Sequence, residues 1–300
     1  MSTMIPGRTP LSVSRQTLRS ALADAEVALQ RSGVASPRHD AEELAAHLLD
    51  TTRSNLWRHL DDQVPVGFVD LTQRRGARVP LQHITGYAHF RHLTLAVGPG
   101  VFIPRPETEI VAQFALDWLK KLGQQPPIVV DLCAGSGAIG LALATELADA
   151  TVVAVENDPG ALPWLRRNAA GRVQVVDQDI DGCLPDFSGR VDLVIANPPY
   201  IPVDALPRDP EVARYDPELA LYSGADGLDH IRTVERTASR LLRPGGLVVV
   251  EHADQQGSTA PEVFSRVSTW TEVVDHQDLT GRDRYVSAQL SAPSSVNQEL

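Results

Sequence analysis

The feature that most limits how this chain can fold is a change of rhythm after Pro126-Pro127. From there, short apolar runs alternate with helix-length stretches. Residues 128–132, 151–155, 173–176, 191–196 and 247–251 read as strands, and 138–147, 161–170 and 228–242 as helices. Strand–helix alternation of this length builds a mostly parallel sheet with helices on both faces. Two closing strands, 272–275 and 285–290, have no full helix between them. They predict an antiparallel hairpin at one edge and a total of seven strands.

Upstream of Pro80 the pattern is helical instead. Leu18, Leu22, Ala25 and Leu29 recur at helical spacing, with Ser12 or Ser14 as the expected cap. Ser36-Pro37 opens a second helix, with Leu44, Ala45, Leu48 and Leu49 on one stripe. Ser54 is expected to cap a short third helix, and residues 65–78 form a fourth. Residues 81–101 read as a hairpin-like linker, with Gly86, Gly98 and Gly100 as turn signals. Residues 107–122 then read as a helix, with Ile110, Val111, Phe114, Ala115 and Trp118 on its buried side. The expected organisation is therefore a helical domain over 1–82, a β-hairpin linker over 83–106, a catalytic α/β domain over 107–290 and a disordered tail over 291–300. A second disordered tail is expected at the N-terminus.

Composition narrows the partners. Hydrophobic residues make up 43% of the chain, enough for a sizeable core, and no apolar run approaches a membrane span. The first ten residues lack a secretory pattern, so a cytoplasmic, membrane-free protein is expected. Cys133 and Cys183 are expected to be reduced thiols, and no Cys/His spacing resembles a metal site; His89 and His92 read as surface or packing residues. Net charge is −11, with residues 1–82 near neutrality and the remainder strongly acidic. An acidic body argues against a broad phosphate-tracking surface, so no direct nucleic-acid binding is expected. Arg74, Arg75 and Arg78 form the one basic cluster considered for it, and a solvated helix face is the preferred reading. No feature demands a second copy, and a monomer is expected.

Asp131-Leu132-Cys133-Ala134-Gly135-Ser136-Gly137 falls at the first strand-to-helix turn of the α/β region. Glycines there let backbone approach a ligand closely. Glu156 ends the second strand, the usual place for a carboxylate that accepts ribose hydroxyls. Asp179 lies just past the third strand, within reach of an adenine amino group. The glycine spacing is not Gly-x-Gly-x-x-Gly, and no second mononucleotide half follows. The cofactor implied is a single nucleoside without a pyrophosphate, which fits S-adenosyl-L-methionine.

Asn197-Pro198-Pro199-Tyr200 follows the fourth strand directly. Two prolines fix the backbone and remove two donors, leaving carbonyls free to accept. Asn197 Oδ1 and the Pro198 carbonyl are placed to accept both hydrogens of one –NH2 group, and Tyr200 offers a stacking face. Methyl transfer from a sulfonium needs positioning and acceptors for developing charge rather than a strong base. The lack of a Ser/His/Asp set is consistent with that chemistry. Residues 201–225 form a long loop whose charged side chains, including Arg208, Asp209 and Asp216, are expected to contact a peptide.

These two motifs, together with Phe102-Ile103-Pro104-Arg105-Pro106-Glu107-Thr108-Glu109, resemble the HemK-type peptide chain release factor glutamine methyltransferases. Pro80 to Gly86, Tyr215 to Leu221 and Arg243-Pro244-Gly245-Gly246 match as well, so the resemblance spans roughly residues 12–290. It implies a Rossmann-like class I methyltransferase domain with a small N-terminal helical bundle that docks the protein substrate. The implied substrate is the Gly-Gly-Gln glutamine of class-1 release factors, methylated on N5, with S-adenosyl-L-homocysteine as product. By matching position, Phe102, Arg105, Cys133, Ala134, Gly135, Ser136, Gly137, Glu156, Asp179, Ile180 and Asn197 border the cofactor. Asn197, Pro198, Pro199 and Tyr200 hold the glutamine, with Asn197, Pro198 and Tyr200 carrying the catalysis. Cys133 stands where many members have Gly, Glu156 where many have Asp, and Ile180 where many are aromatic. The rival readings are a ribosomal-protein glutamine methyltransferase, a nucleic-acid amino-methyltransferase and a catalytically silent scaffold.

Overall fold

The computed structural model describes residues 16–123, 126–207 and 209–292. Ser12, Ser14, Arg208 and the expected tails fall outside them, apart from Ser291 and Ala292. The chain divides into two compact units, Met1–Thr85 and Gly86–Leu300. No helix among the described residues is long and apolar enough to cross a membrane.

The first unit is helical. Helix α1 (Leu18–Arg31) is capped by Thr17, whose side chain accepts from the Ser20 N–H, and buries Leu18, Leu22, Ala25 and Leu29. Helix α2 (Pro37–Leu48) starts on Pro37, where a missing N–H costs nothing. The expected third helix is a single 3-10 stretch, Arg53–His59; Thr52 precedes it, so Ser54 lies inside rather than capping. Helix α3 (Phe68–Gly76) follows Gly67, which takes the left-handed conformation that favours glycine. Residues Leu81–Thr85 form a short helix α4, not the start of an extended linker. Leu18, Leu29, Leu44, Leu56 and Phe68 form the shared core. The expected basic face also resolves differently. Arg75 is buried and its Nε donates to Asp40 at 2.7 Å, while an Arg75 guanidinium N–H reaches the Val79 carbonyl. Arg78 donates to the Gly33 carbonyl at 2.6 Å. Arg75 is thus an internal fastener rather than part of a phosphate patch or solvated face, while Arg78 is half-exposed.

The second unit opens with an antiparallel hairpin, β1 (Tyr87–Phe90) and β2 (Leu93–Ala96). Helix α5 (Thr108–Leu122) follows. Its buried face is Val111, Ala112, Ala115, Leu116 and Leu119; Ile110, Phe114 and Trp118 only flank it. The large aromatics had pulled the expected stripe around by about one residue. The alternating region then gives β3 (Ile128–Leu132), α6 (Ala138–Glu146), β4 (Thr151–Glu156), α7 (Leu162–Ala169), β5 (Gln174–Asp177) and β6 (Val191–Ala196). A short helix α8 (Pro210–Tyr215) interrupts the long loop. Helix α9 (Asp229–Leu241), strand β7 (Leu242–Glu251), helix α10 (Thr259–Ser265) and strands β8 (Trp270–Gln277) and β9 (Asp283–Leu290) complete the chain.

The sheet has seven strands in the order β5-β4-β3-β6-β7-β9-β8. The first five are parallel, and β9 runs antiparallel to both β7 and β8, forming the edge hairpin. Both faces are covered, so its strands are apolar throughout. Successive residues serve opposite cores: Val129 packs with Leu116 and Leu141 on one face, and Val130 with Ile231 and Phe264 on the other. The chain winds from β3 outward to β5, then returns to lay β6 on the other side of β3. That reversal opens a crevice at the carboxyl ends of β3 and β6.

The Arg75–Asp40 pair yields a stability test. Replacing Arg75 by Met strands a carboxylate that is 6% exposed. The N-terminal unit should lose about 3–5 kcal/mol. Adding Asp40→Leu should recover most of it, because no buried charge then remains. Denaturant titration of the two variants checks this; equal midpoints would show that the pair is not the fastener.

Candidate active site

Register brings the two motifs together. In the sheet Leu132 of β3 is opposite Ala196 of β6, and Ala196 is opposite Val250 of β7. The chain therefore leaves β3 at Cys133 and β6 at Asn197 on the same level. Between β3 and α6 the turn uses three left-handed residues, Cys133, Gly135 and Gly137. The two glycines do different work. A Cβ on Gly135 would meet nothing within 4 Å, whereas one on Gly137 would lie 2.7 Å from Leu165 of α7. Gly135 leaves space for a ligand, and Gly137 lets α6 pack. Asp131, buried behind the turn, accepts from the Gly140 N–H at 2.8 Å and anchors α6 to β3. Burial pushes its carboxyl up to about 7.

Glu156 closes the turn from the side. Its Oε2 accepts from the Gly135 N–H at 2.8 Å, and its Oε1 from the N–H groups of Asn157 and Asp158 at 2.9 and 2.8 Å. Burial raises its pKa, and these three backbone donors oppose the rise. A carboxylate offers roughly four acceptor positions. One is left for a hydroxyl. Asp179 accepts from Asn157 Nδ2 at 3.0 Å and from the Asp181 N–H at 2.8 Å. Burial holds the Cys133 thiol protonated.

The hairpin and its exit segment supply the outer wall. Asn168 of α7 binds both polar groups of Ala96 and donates to the Ser136 carbonyl, tying β2 to the glycine turn. Gly98 allows the hairpin to lie against Trp164, which a Cβ would approach to 2.6 Å. The chain then runs through Phe102 and Arg105. The Arg105 guanidinium lies 4.8 Å over the Phe102 ring and pairs with Asp216 at 2.5 Å. Asp216 is almost wholly buried, and burial pushes its carboxyl up to about 6 against the pull of Arg105. This pair ties the loop after β6 to the segment before α5.

Asn197, Pro199 and Tyr200 face the same space. Asn197 Nδ2 donates to the Thr108 hydroxyl at 3.4 Å. Among the described residues nothing donates to Asn197 Oδ1 or to the Pro198 carbonyl. Gln256 Nε2 donates to the Tyr200 carbonyl at 3.2 Å and braces the turn from behind. Burial raises the Tyr200 phenol, which stays neutral.

Phe102, Arg105, Cys133, Ala134, Gly135, Ser136, Glu156, Asp179, Ile180, Asn197, Pro199 and Tyr200 line one cavity of about 690 Å³. Gly137 and Pro198 do not line it. Residues the sequence did not single out also do: Thr108, Leu206, Leu219, His230, Thr233 and Arg284. Thr108 sat inside a quoted motif without a role. Leu206 and Leu219 belong to the 201–225 loop, Leu219 within the matched Tyr215 to Leu221 stretch. His230, Thr233 and Arg284 come from distant elements and carry no local signal. No group of three or more potential metal ligands occurs among the described residues. The groups present fit a nucleoside-bearing methyl donor. They offer an open glycine backbone, one carboxylate with an acceptor to spare, and apolar walls at Phe102 and Ile180.

Comparison with known proteins agrees with this layout. Residues 20–86 match the PrmC N-terminal domain, and residues 92–206 the methyltransferase small domain. S-adenosyl-L-methionine is the methyl donor for such a domain. A Streptomyces pristinaespiralis protein named 4-amino-L-phenylalanine/4-methylamino-L-phenylalanine methyltransferase is 39% identical over 267 residues, which is 87% of this chain and 91% of that one. A release factor glutamine methyltransferase from Mycolicibacterium smegmatis is 46% identical over 286 residues, 92% of this chain and 99% of the relative. Another, from Streptomyces coelicolor, is 50% identical over 278 residues, again 92% and 99%. Half of all positions shared along nearly the whole of both chains makes this protein a member of the release factor glutamine methyltransferase family.

Proposed function

We propose that the chain transfers a methyl group from S-adenosyl-L-methionine to side-chain N5 of the glutamine in the Gly-Gly-Gln motif of class-1 peptide chain release factors, in support of translation termination. The observation that carries the reading is the open acceptor Asn197 Oδ1 on a cavity whose other wall is the glycine turn, with the undonated Pro198 carbonyl next to it in the chain. The enzyme acts as a cytoplasmic monomer, with the helical N-terminal unit docking the protein substrate.

The acceptor geometry suits a primary amide. A glutamine –NH2 presents two N–H groups, and two oxygens take them. Pro198 and Pro199 have no N–H, so the turn offers the incoming amide no competing donor. Bound in the cavity, S-adenosyl-L-methionine supplies an electrophilic methyl on a sulfonium. The amide nitrogen is a weak nucleophile, because its lone pair is delocalised into the carbonyl. Holding it in line is therefore the larger share of the work. Asn197 and Pro198 also stabilise the positive charge that grows on nitrogen during attack. The product nitrogen then gives up one proton to solvent, which restores a neutral amide. Tyr200, kept neutral by burial, presents its ring to the planar group.

An aromatic amine also carries two N–H groups, and one relative is named for such a substrate. Identity is higher to the relatives named for release factors. The deciding assay offers labelled methyl donor with a purified class-1 release factor, 4-amino-L-phenylalanine, a ribosomal-protein mixture or DNA. Label is expected on the release-factor glutamine and nowhere else; label confined to any other arm would overturn the reading.

Two substitutions test the residues. Asn197→Ala should lower turnover on the order of 10²-fold, the usual loss for one preorganised polar group. Unchanged turnover would remove Asn197 as an amide acceptor. Glu156→Ala should weaken the methyl donor about 10- to 100-fold, read by calorimetry, since hydrogen bonds to a charged group contribute ~1.5–3 kcal/mol. An unaltered affinity would exclude Glu156 from the ribose.

A further inference from the structure

Asn197 can hold an amide –NH2 only if its own carbonyl oxygen faces the cavity. An asparagine amide is nearly symmetric in shape, so something must set which end points inward. The segment from Phe102 to Glu109 contains the group that does this.

The parallel register of β6 and β7 places Ala196 opposite Val250, and so Asn197 beside Glu251. Side chains alternate along a strand. Asn197 therefore continues the row of Leu193 and Ile195, and Glu251 the row of Leu247 and Val249, all on the face that α5 covers. Thr108, the first residue of α5, is 3% exposed and borders the cavity. Its hydroxyl receives Asn197 Nδ2 at 3.4 Å, and its nearness to the Glu251 carboxylate favours the charged form of that group. Glu251 is 1% exposed, and its second oxygen, Oε2, has no partner.

We infer that Glu251 and Thr108 form a positioning relay that fixes the polarity of the Asn197 amide. An ionised carboxylate only accepts, and with Glu251 Oε2 buried and unpartnered the Thr108 proton is the donor directed to it. The Thr108 oxygen is then left as an acceptor, and it can take only the –NH2 end of Asn197. Asn197 Oδ1 is turned into the cavity as a result. Without the hydroxyl the amide is free to rotate, and its inverted form would present donors to an incoming donor. Glu251 thus acts two residues away from the substrate without lining the cavity. Glu251 continues the row of Leu247 and Val249, and the nearby Arg284 favours its charged form.

The inference rests on the proposed transfer to a glutamine amide, and the test separates the two. Wild type, Thr108→Val, Thr108→Ser and Glu251→Gln are compared as full-length chains at pH 8, with a purified release factor as methyl acceptor. Each variant is also titrated with S-adenosyl-L-methionine by calorimetry. Absence of glutamine methylation by wild type would sink the functional reading. Given an active wild type, Thr108→Val should lose on the order of ten- to a hundredfold in kcat through amide misorientation, with methyl-donor affinity within about twofold of wild type. Thr108→Ser, which keeps the hydroxyl, should recover most of kcat. Glu251→Gln should resemble the Val variant, because its amide can donate to Thr108 and reverse the chain of bonds. Undiminished kcat in Thr108→Val, or equal losses in Val and Ser, would overturn the relay. Should Thr108→Val fail to fold, the isosteric Glu251→Gln decides by the same kcat readout.

Discussion

The alignment of Leu132, Ala196 and Val250 across three adjacent parallel strands is the constraint on which the site depends. A parallel sheet releases every strand at the same edge, and here the order reverses between β3 and β6. Three consecutive exits therefore carry three separate tasks. The turn after β3 provides bare backbone at Gly135, the turn after β6 provides carbonyl acceptors, and the end of β7 provides a buried carboxylate behind them. A slip of one residue in β6 would send Asn197 to the opposite face of the sheet. The packing of Ile195 and Leu193 against α5 resists that slip. Hydrophobic register, rather than any polar contact, is what aims the polar residues.

Rigid elements around the crevice then remove its remaining freedom. Asn168 joins the hairpin to the glycine turn, Gln256 braces the Tyr200 carbonyl, and Arg105 pairs with Asp216 across the loop after β6. Each contact is made by a buried or half-buried side chain, where hydrogen bonds are less screened than at the surface. An amide acceptor reaction gains most from fixed geometry, because the nucleophile is weak and the methyl donor is already activated. The density of bracing contacts matches that need.

The sequence made the crevice readable and left its supports hidden. The Asp131 to Gly137 turn and Asn197 to Tyr200 are each contiguous, so their chemistry can be seen without the fold. Strand and helix order followed from periodicity, which is also local. The N-terminal arginines could not be read this way. Arg75 meets Asp40 from 35 positions away, and no pattern of spacing announces a pairing at that distance. The buried stripe of α5 was displaced because Phe114 and Trp118 outweigh Ala112 and Ala115 in any hydrophobic count, while the small residues are the ones that fit closest to the sheet. Gly137 and Pro198 were expected among the groups bordering the ligand, and neither lines the cavity. Gly137 contributes backbone shape, letting α6 pack, and sequence alone does not divide shape from contact.

Thr108 shows why that division matters. The stretch from Phe102 to Glu109 was conspicuous as a motif, yet its residues have no common chemistry. The structure spreads them over distinct jobs. Phe102 and Arg105 form the cavity wall and its clasp, Glu109 accepts the Arg91 N–H at 2.9 Å to anchor the hairpin, and Thr108 receives the Asn197 amide. Such a segment is a junction as well as a cavity wall: it connects the hairpin, the start of α5, the loop after β6 and the turn at Asn197. Few substitutions satisfy four neighbours at once. A motif of that kind identifies a family more sharply than the Asn197 to Tyr200 tetrapeptide does, because the tetrapeptide has fewer neighbours to satisfy.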